Sequence, residues 1–141
     1  MMDIGIIVIT HGQLADSLLS TLFSIVGKQE KIVSLSVPTE FTLESLCNDI
    51  LQEIENLNTK HIVIFTDMLG GTPCNASLMV SRKLQNVRII SGVNLYMLIT
   101  AIHLRESLND SHSVDEYVDR IISEGTRSIA DASKILSSKI K

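Results

Sequence analysis

The chain has 141 residues, 45% of them apolar and 20% charged, with two prolines, so it is sized for one compact domain (residues 1–141) and too rich in core material to be disordered. Sixteen acids against twelve bases leave a formal charge of −4, and the bases are scattered, which argues against nucleic acid because phosphate backbones demand clustered Lys and Arg. No apolar run approaches the roughly 20 residues that span a bilayer, Met1-Met2-Asp3 puts an acid where a signal peptide carries positive charge, and Cys47 and Cys74 make neither a disulfide framework nor a CxxC spacing; a cytoplasmic protein is expected.

Ile4 to Thr10 (IGIIVIT) is a continuous apolar run of strand length, as expected of a strand covered on both faces. His11-Gly12 breaks it. Leu14, Leu18, Leu19, Leu22, Ile25 and Val26 recur at helical spacing, closed by Gly27 as C-cap. Ile32 to Val37 reads as a second strand, stopped by Pro38, and Thr42 opens a second helix whose apolar stripe ends at Leu57. His61 to Thr66 (HIVIFT) is a third strand, followed by a loop in which Gly70-Gly71 are free to take positive φ. Thr72-Pro73 predicts a helix start with the Thr72 hydroxyl as cap and proline at the first helical position. Val87 to Ile90 is a fourth strand, and Gly92-Val93-Asn94 turns it into a helix running to about Ser107. From Ser113 onward the period is helical, with Gly125 expected to interrupt it.

Strand and helix alternating four times give an α/β fold: an open, mainly parallel four-stranded sheet with helices on both faces. Every strand-to-helix loop then lies at the carboxyl edge, where ligands bind at the point of strand-order reversal. The loops of interest are Thr10 to Gln13, Pro38 to Thr42, Thr66 to Thr72 and Ser91 to Asn94. His11 leaves the first strand there, with Gly12 beside it to keep the ring uncrowded. A neutral imidazole at such a mouth is a competent nucleophile or general base; the competing reading is an ordinary polar loop residue. Asp67 ends the third strand in the same way, and the first and third strands are commonly neighbours in this topology. A carboxylate that accepts one ring N–H fixes the tautomer and frees the other nitrogen; the alternative is a plain loop acid. Gly70-Gly71-Thr72-Pro73 runs a glycine loop into a helix start and so forms an anion site, without the Gly-Lys-Ser/Thr of a nucleotide loop. His61 falls at the opposite edge, His103 on a helix where half-burial is expected, and His112 in a solvated turn. Cys47 lies on a core stripe, Cys74 in a first helical turn as a packing residue, and no metal-ligand spacing occurs.

The segments IGIIVITHG, FTDMLGGTPCNAS and IISGVNLYML together resemble the enzyme IIA domain of the mannose-type (mannose/fructose/sorbose) sugar phosphotransferase system, from Met2 to about Thr126. The resemblance implies a phosphoryl carrier: His11 accepts a phosphoryl group from the histidine-containing phosphocarrier protein and passes it to an enzyme IIB component, with no cofactor and no metal. It implies Asp67 as the orienting partner and Thr72, with nearby backbone N–H groups, as holder of the phosphoryl oxygens. Thr10, Gly12, Thr66, Gly70 and Gly71 complete the candidate phosphoryl-binding set. It also implies a homodimer that exchanges a carboxyl-terminal edge strand, although the tail after Gly125 reads as helix. The expected place is the cytoplasm, at the membrane permease through partner subunits. The sequence ends without a linker and IIB domain, so the acceptor is expected to be a separate polypeptide.

Other readings remain. The phosphoryl donor subunit of a dihydroxyacetone kinase has a related fold and an equivalent histidine; the Gly-Gly-Thr-Pro and Gly-Val-Asn segments favour the sugar-transport branch. A flavodoxin-like flavin carrier is disfavoured by the scarcity of hydroxyls in Thr10 to Ser17 and by the absence of tryptophan. A response-regulator receiver needs clustered acids after the first strand, where His11 stands.

Overall fold

The protein is described from a computed structural model covering residues 1–140. The elements run β1 (Ile4–Thr10), α1 (Leu14–Val26), β2 (Ile32–Ser36), α2 (Leu43–Leu57), β3 (His61–Thr66), α3 (Thr72–Ser81), β4 (Val87–Ile90), α4 (Leu95–Ser107), α5 (Val114–Arg127) and α6 (Ala132–Ile140). The four strands are all parallel in the order β2-β1-β3-β4. β1 is central, and all seven of its residues are buried, which is why it reads as an unbroken apolar run rather than an alternating one.

The pleat divides the core by period two. Ile4, Ile6 and Val8 face one layer with α1, α4 and α5, through Leu22, Leu98 and Tyr117. Ile7 and Ile9 face the other layer with α2 and α3, through Leu46, Ile50 and Ala76. β1 pairs with β2 on one side and β3 on the other, Ile9 lying opposite both Leu35 and Thr66. The crossovers that follow β1 and β3 therefore run in opposite directions, to β2 and to β4, and the crevice of this fold opens above the carboxyl ends of β1 and β3.

Local chemistry sets the helix ends. Gly27 closes α1 at φ +83°, and Thr42 and Ser45 form a reciprocal capping box at α2. The expected cap of α3 is corrected: Gly71, not Thr72, is the N-cap, its carbonyl taking the first helical bond from Asn75 N–H at 2.9 Å. Thr72 and Pro73 are already helical, so Pro73 stands at the second position. Gly125 does not interrupt its helix either. It is buried inside α5, where a Cβ would fall 2.2 Å from Met97 Cγ, so the glycine is there to let α4 and α5 touch.

The tail after Gly125 is helical, through the end of α5 and then α6. Among the described residues no strand follows β4, and none is present to be exchanged. Arg105, on the last turn of α4, is buried without a carboxylate. Its Nη1 donates to the carbonyls of Ile4 and Lys31 at 3.1 Å each, and its Nη2 to that of Glu30 at 2.9 Å. It thus ties α4 to the start of β1 and the connection before β2, and burial pulls its pKa down against the opposing charges of Tyr117 and Glu106. The buried Tyr117 hydroxyl donates to the Ala101 carbonyl at 2.8 Å, and burial pushes its pKa up. Among the described residues no helix is long and apolar enough to cross a membrane.

Candidate functional site

The site is assembled where two strands end side by side. β1 and β3 are in register, so the residues that follow them, His11 and Asp67, emerge together at the carboxyl edge. Asp67 Oδ2 accepts from the His11 backbone N–H at 3.1 Å and lies 2.9 Å from His11 Nδ1. Its other oxygen accepts from the Met68 N–H at 3.0 Å. With Nδ1 engaged by the carboxylate, the neutral ring carries its proton on Nδ1 and its lone pair on Nε2. The imidazole is half exposed (50%) while the carboxylate is largely covered (14%), so the ring is held from below and open above.

The electrostatics follow from the same contacts. Burial by itself would push the Asp67 carboxyl up. The hydrogen bonds from the His11 ring and backbone, the ring's charge and the carboxyl's local backbone bond outweigh it and hold the pKa below the ordinary 3.8. Asp67 is therefore an anion throughout the neutral range.

Gly71 forms the seat of the ring. A Cβ built on it would lie 2.8 Å from His11 Cε1 and 3.5 Å from Nε2, so only a residue without a side chain lets the imidazole lie against the loop. Its own N–H donates to the Met68 carbonyl at 3.2 Å and is not free for an anion. Gly12 (φ +55°) and Gly70 (φ +84°) take the left-handed conformations that turn their loops into α1 and α3. Thr72 sits half-buried at the first position of α3, where the amide N–H lacks an intrahelical partner.

Two of the expected phosphoryl contacts are not formed by side chains. The Thr10 hydroxyl is wholly buried, accepting from Ala15 N–H at 2.8 Å and donating to the His11 carbonyl at 3.0 Å. It satisfies an amide in the first turn of α1 and braces His11 from behind. The Thr66 hydroxyl is also wholly buried and has no hydrogen-bond partner, while its carbonyl accepts from Val93 N–H at 3.0 Å. Both hydroxyls lie inside the fold at the strand ends. The remaining histidines lie elsewhere: His61 at the start of β3, His112 in a turn against Asn109, and His103 exposed on α4 rather than half-buried, since the core side of that helix is taken by Ile102 and Leu104. Among the described residues no cluster of His, Cys, Asp and Glu is arranged to hold a metal ion.

Sequence reasoning missed the braces. Asn75 Nδ2 donates to the Gly70 carbonyl at 3.2 Å and holds the glycine loop from its own helix. Asn94 Oδ1 accepts from Met97 N–H at 2.9 Å, capping α4 and explaining the residue after Gly92-Val93, while Val93 N–H anchors the carbonyl that precedes Asp67. An asparagine at the head of a helical stripe is a readable cap signal; Asn75, one turn inside, left none.

Residues 5–122 match the family described as the PTS system fructose IIA component, EIIA-man. The mannose-specific EIIAB component of Escherichia coli (strain K12) is 29% identical over 129 residues, covering 91% of this chain and 39% of that protein. The fructose-specific EIIA component of Bacillus subtilis (strain 168) is 27% identical over 106 residues, covering 74% and 73% respectively. The chain thus spans 39% of the length of the EIIAB relative and most of the EIIA one. Among solved structures, phosphotransferase system component EIIA from Streptococcus agalactiae superposes with a TM-score of 0.83 at 32% identity, covering 93% of this chain and 98% of that one. The mannose/sorbose specific IIA subunit from Enterococcus faecalis gives 0.77 at 25% identity, covering 92% and 95%.

Proposed function

The chain belongs to the EIIA-man family, the mannose-type IIA components of the sugar phosphotransferase system, and from that premise we propose that His11 carries a phosphoryl group on Nε2 between two protein partners. The donor is the histidine-containing phosphocarrier protein and the acceptor an enzyme IIB component, for sugar uptake at the membrane permease. The observation that carries this reading is the 2.9 Å contact between His11 Nδ1 and Asp67, which in the neutral ring leaves the Nε2 lone pair at an open surface.

In the transfer, Nε2 attacks phosphorus in line with the donor's N–P bond. That bond breaks as the new one forms, and the donor ring leaves as a neutral imidazole. Such displacements pass through a loose transition state, so the protein supplies position and charge compensation rather than covalent help. The ring of His11 gains positive charge as Nε2 is substituted, and Asp67 compensates it across the Nδ1–H bond. The Thr72 amide, at the positive end of α3, is the donor nearest in kind to what the phosphoryl oxygens need, with Gly70 and Gly12 shaping the loops around them. The reverse steps deliver the group to IIB. The working unit is a homodimer: both β2 and β4 end the sheet with an unpaired side, and a second copy would cover one of them.

The test is incubation with phosphoenolpyruvate, enzyme I and the phosphocarrier, followed by intact-mass measurement. Wild type should gain one phosphoryl group that is acid-labile and alkali-stable, and His11→Ala none. Label on His61, His103 or His112 in the variant would sink the assignment.

A further inference from the structure

We propose that His11 also takes a phosphoryl group directly from small acyl phosphates, without any protein donor, and that alkyl phosphate esters are rejected. The inference rests on the proposed function, because it names a further class of donor for the same imidazole.

The first observation is access. The imidazole is half exposed, and the Asp67 carboxylate lies 2.9 Å from its Nδ1, so the neutral ring presents the Nε2 lone pair on its open side. Gly71 keeps that side clear, since a Cβ there would stand 3.5 Å from Nε2. Asp67 is itself largely covered, with one oxygen on the His11 ring and backbone and the other on the Met68 N–H. One chain therefore fixes the tautomer and the orientation of the nucleophile. Nothing needed for the attack has to come from a partner.

The second observation is what the ring touches. Among the described residues, Asp67 is the only ionisable side chain in hydrogen-bond contact with His11, and it is an anion in the neutral range. The hydroxyls of Thr10 and Thr66 at the two strand ends are buried, and the first already donates to the His11 carbonyl. No side chain here is placed to hand a proton to a departing oxygen. A loose phosphoryl-transfer transition state throws charge onto that oxygen, so without an acid the leaving group has to be stable as an anion. A carboxylate is, with a conjugate acid of pKa about 4. An alkoxide is far too basic. The site thus separates acyl phosphates from alkyl phosphates by leaving-group chemistry rather than by shape.

The step balances with no proton moved. The Nε2 lone pair forms the N–P bond as the P–O bond to the acyl oxygen breaks, and that electron pair departs on the carboxylate. Nδ1 keeps its proton, and the positive charge left on the ring faces Asp67. Nothing is oxidised or reduced.

The experiment incubates the wild-type chain with acetyl phosphate alone, with neither enzyme I nor the phosphocarrier, and follows intact mass and peptide maps over time. One acid-labile, alkali-stable phosphoryl group should appear on His11, and none with glycerol phosphate at the same concentration. His103, exposed on α4 without a carboxylate partner, is the internal standard for an unassisted imidazole. His11 should label at least about tenfold faster than His103. Asp67→Asn should slow His11 by roughly tenfold or more while leaving His103 unchanged. The proposal is overturned if His11 stays unlabelled in a chain that the phosphocarrier loads, or if His11 and His103 label equally. It also falls if glycerol phosphate labels His11 as fast, if the mass gain is acetylation of lysines only, or if Asp67→Asn labels at the wild-type rate. A wild-type chain loaded by neither acetyl phosphate nor the phosphocarrier would instead refute His11 as the phosphoryl carrier, and the proposal with it.

Discussion

Gly71→Ala isolates the geometry of the site from the stability of the fold. The backbone at Gly71 (φ −76°, ψ 166°) is one that alanine adopts without strain, so the substitution adds only a methyl group. That methyl would lie 2.8 Å from His11 Cε1, about 0.6 Å inside ordinary contact at 3.4 Å. The ring is half exposed, and it can relieve the overlap by swinging outward. Doing so stretches the 2.9 Å contact to Asp67 to a length at which a hydrogen bond contributes little. Losing a bond to a charged group costs about 1.5–3 kcal/mol, and each 1.36 kcal/mol is tenfold in rate. Phosphoryl transfer through Gly71→Ala should therefore be roughly 10- to 100-fold slower in rapid-quench measurements. The melting temperature should fall by only about a few degrees, because the narrower unfolded ensemble that alanine gives at a compatible position offsets part of the lost bond. Nitrogen-15 NMR of the His11 ring should show the Nδ1–H tautomer losing its dominance. Transfer at the wild-type rate with that tautomer intact would refute the claim that Gly71 is the seat of the ring.

Asp67→Asn keeps shape and an acceptor oxygen but removes the charge, and should slow transfer roughly 10- to 1,000-fold without abolishing it; rates equal to wild type would separate the two residues. The acid side gives a linked test. A carboxyl held below its ordinary 3.8 contributes stability that is present above that value and lost as pH falls through the folded pKa. The melting temperature of wild type should exceed that of Asp67→Asn at pH 6, and the gap should close below about pH 3.8; a gap that widens in acid would reverse the sign of the argument. Arg105→Leu leaves the carbonyls of Ile4, Glu30 and Lys31 without their donor and should lower the unfolding free energy by about 3 kcal/mol, read from urea titration, with less than about 1 kcal/mol counting against the clamp. Sedimentation at micromolar concentration should give twice the 15.5 kDa chain mass; a monomer would refute the homodimer.

What could be read from the sequence, and what could not, divides by the range of the interactions. The strands and most helix ends were legible because their causes are local: the unbroken run of β1, the glycine after α1, the threonine before α2. The pairing of His11 with Asp67 was legible at one remove, since parallel topology fixes which loops share an edge. Gly125 is ambiguous in sequence, because the same residue that breaks an isolated helix also permits two helices to approach, and only the position of Met97 decides between them. Hydroxyl-before-proline is a strong local signal and points to Thr72 as the cap, yet Gly71 is extended and its carbonyl is engaged by Asn75. Thr10 and Thr66 show the limit from the other side: whether a hydroxyl at a strand end faces solvent or core depends on the pleat of the whole sheet, and here both are buried, one of them accepting from an amide in the first turn of α1. On the proposed reading the chemistry falls to fewer groups than the sequence suggests: the His11 imidazole, the Asp67 carboxylate and the Thr72 amide at the start of α3. A site so sparsely equipped would suit a group that must be passed on.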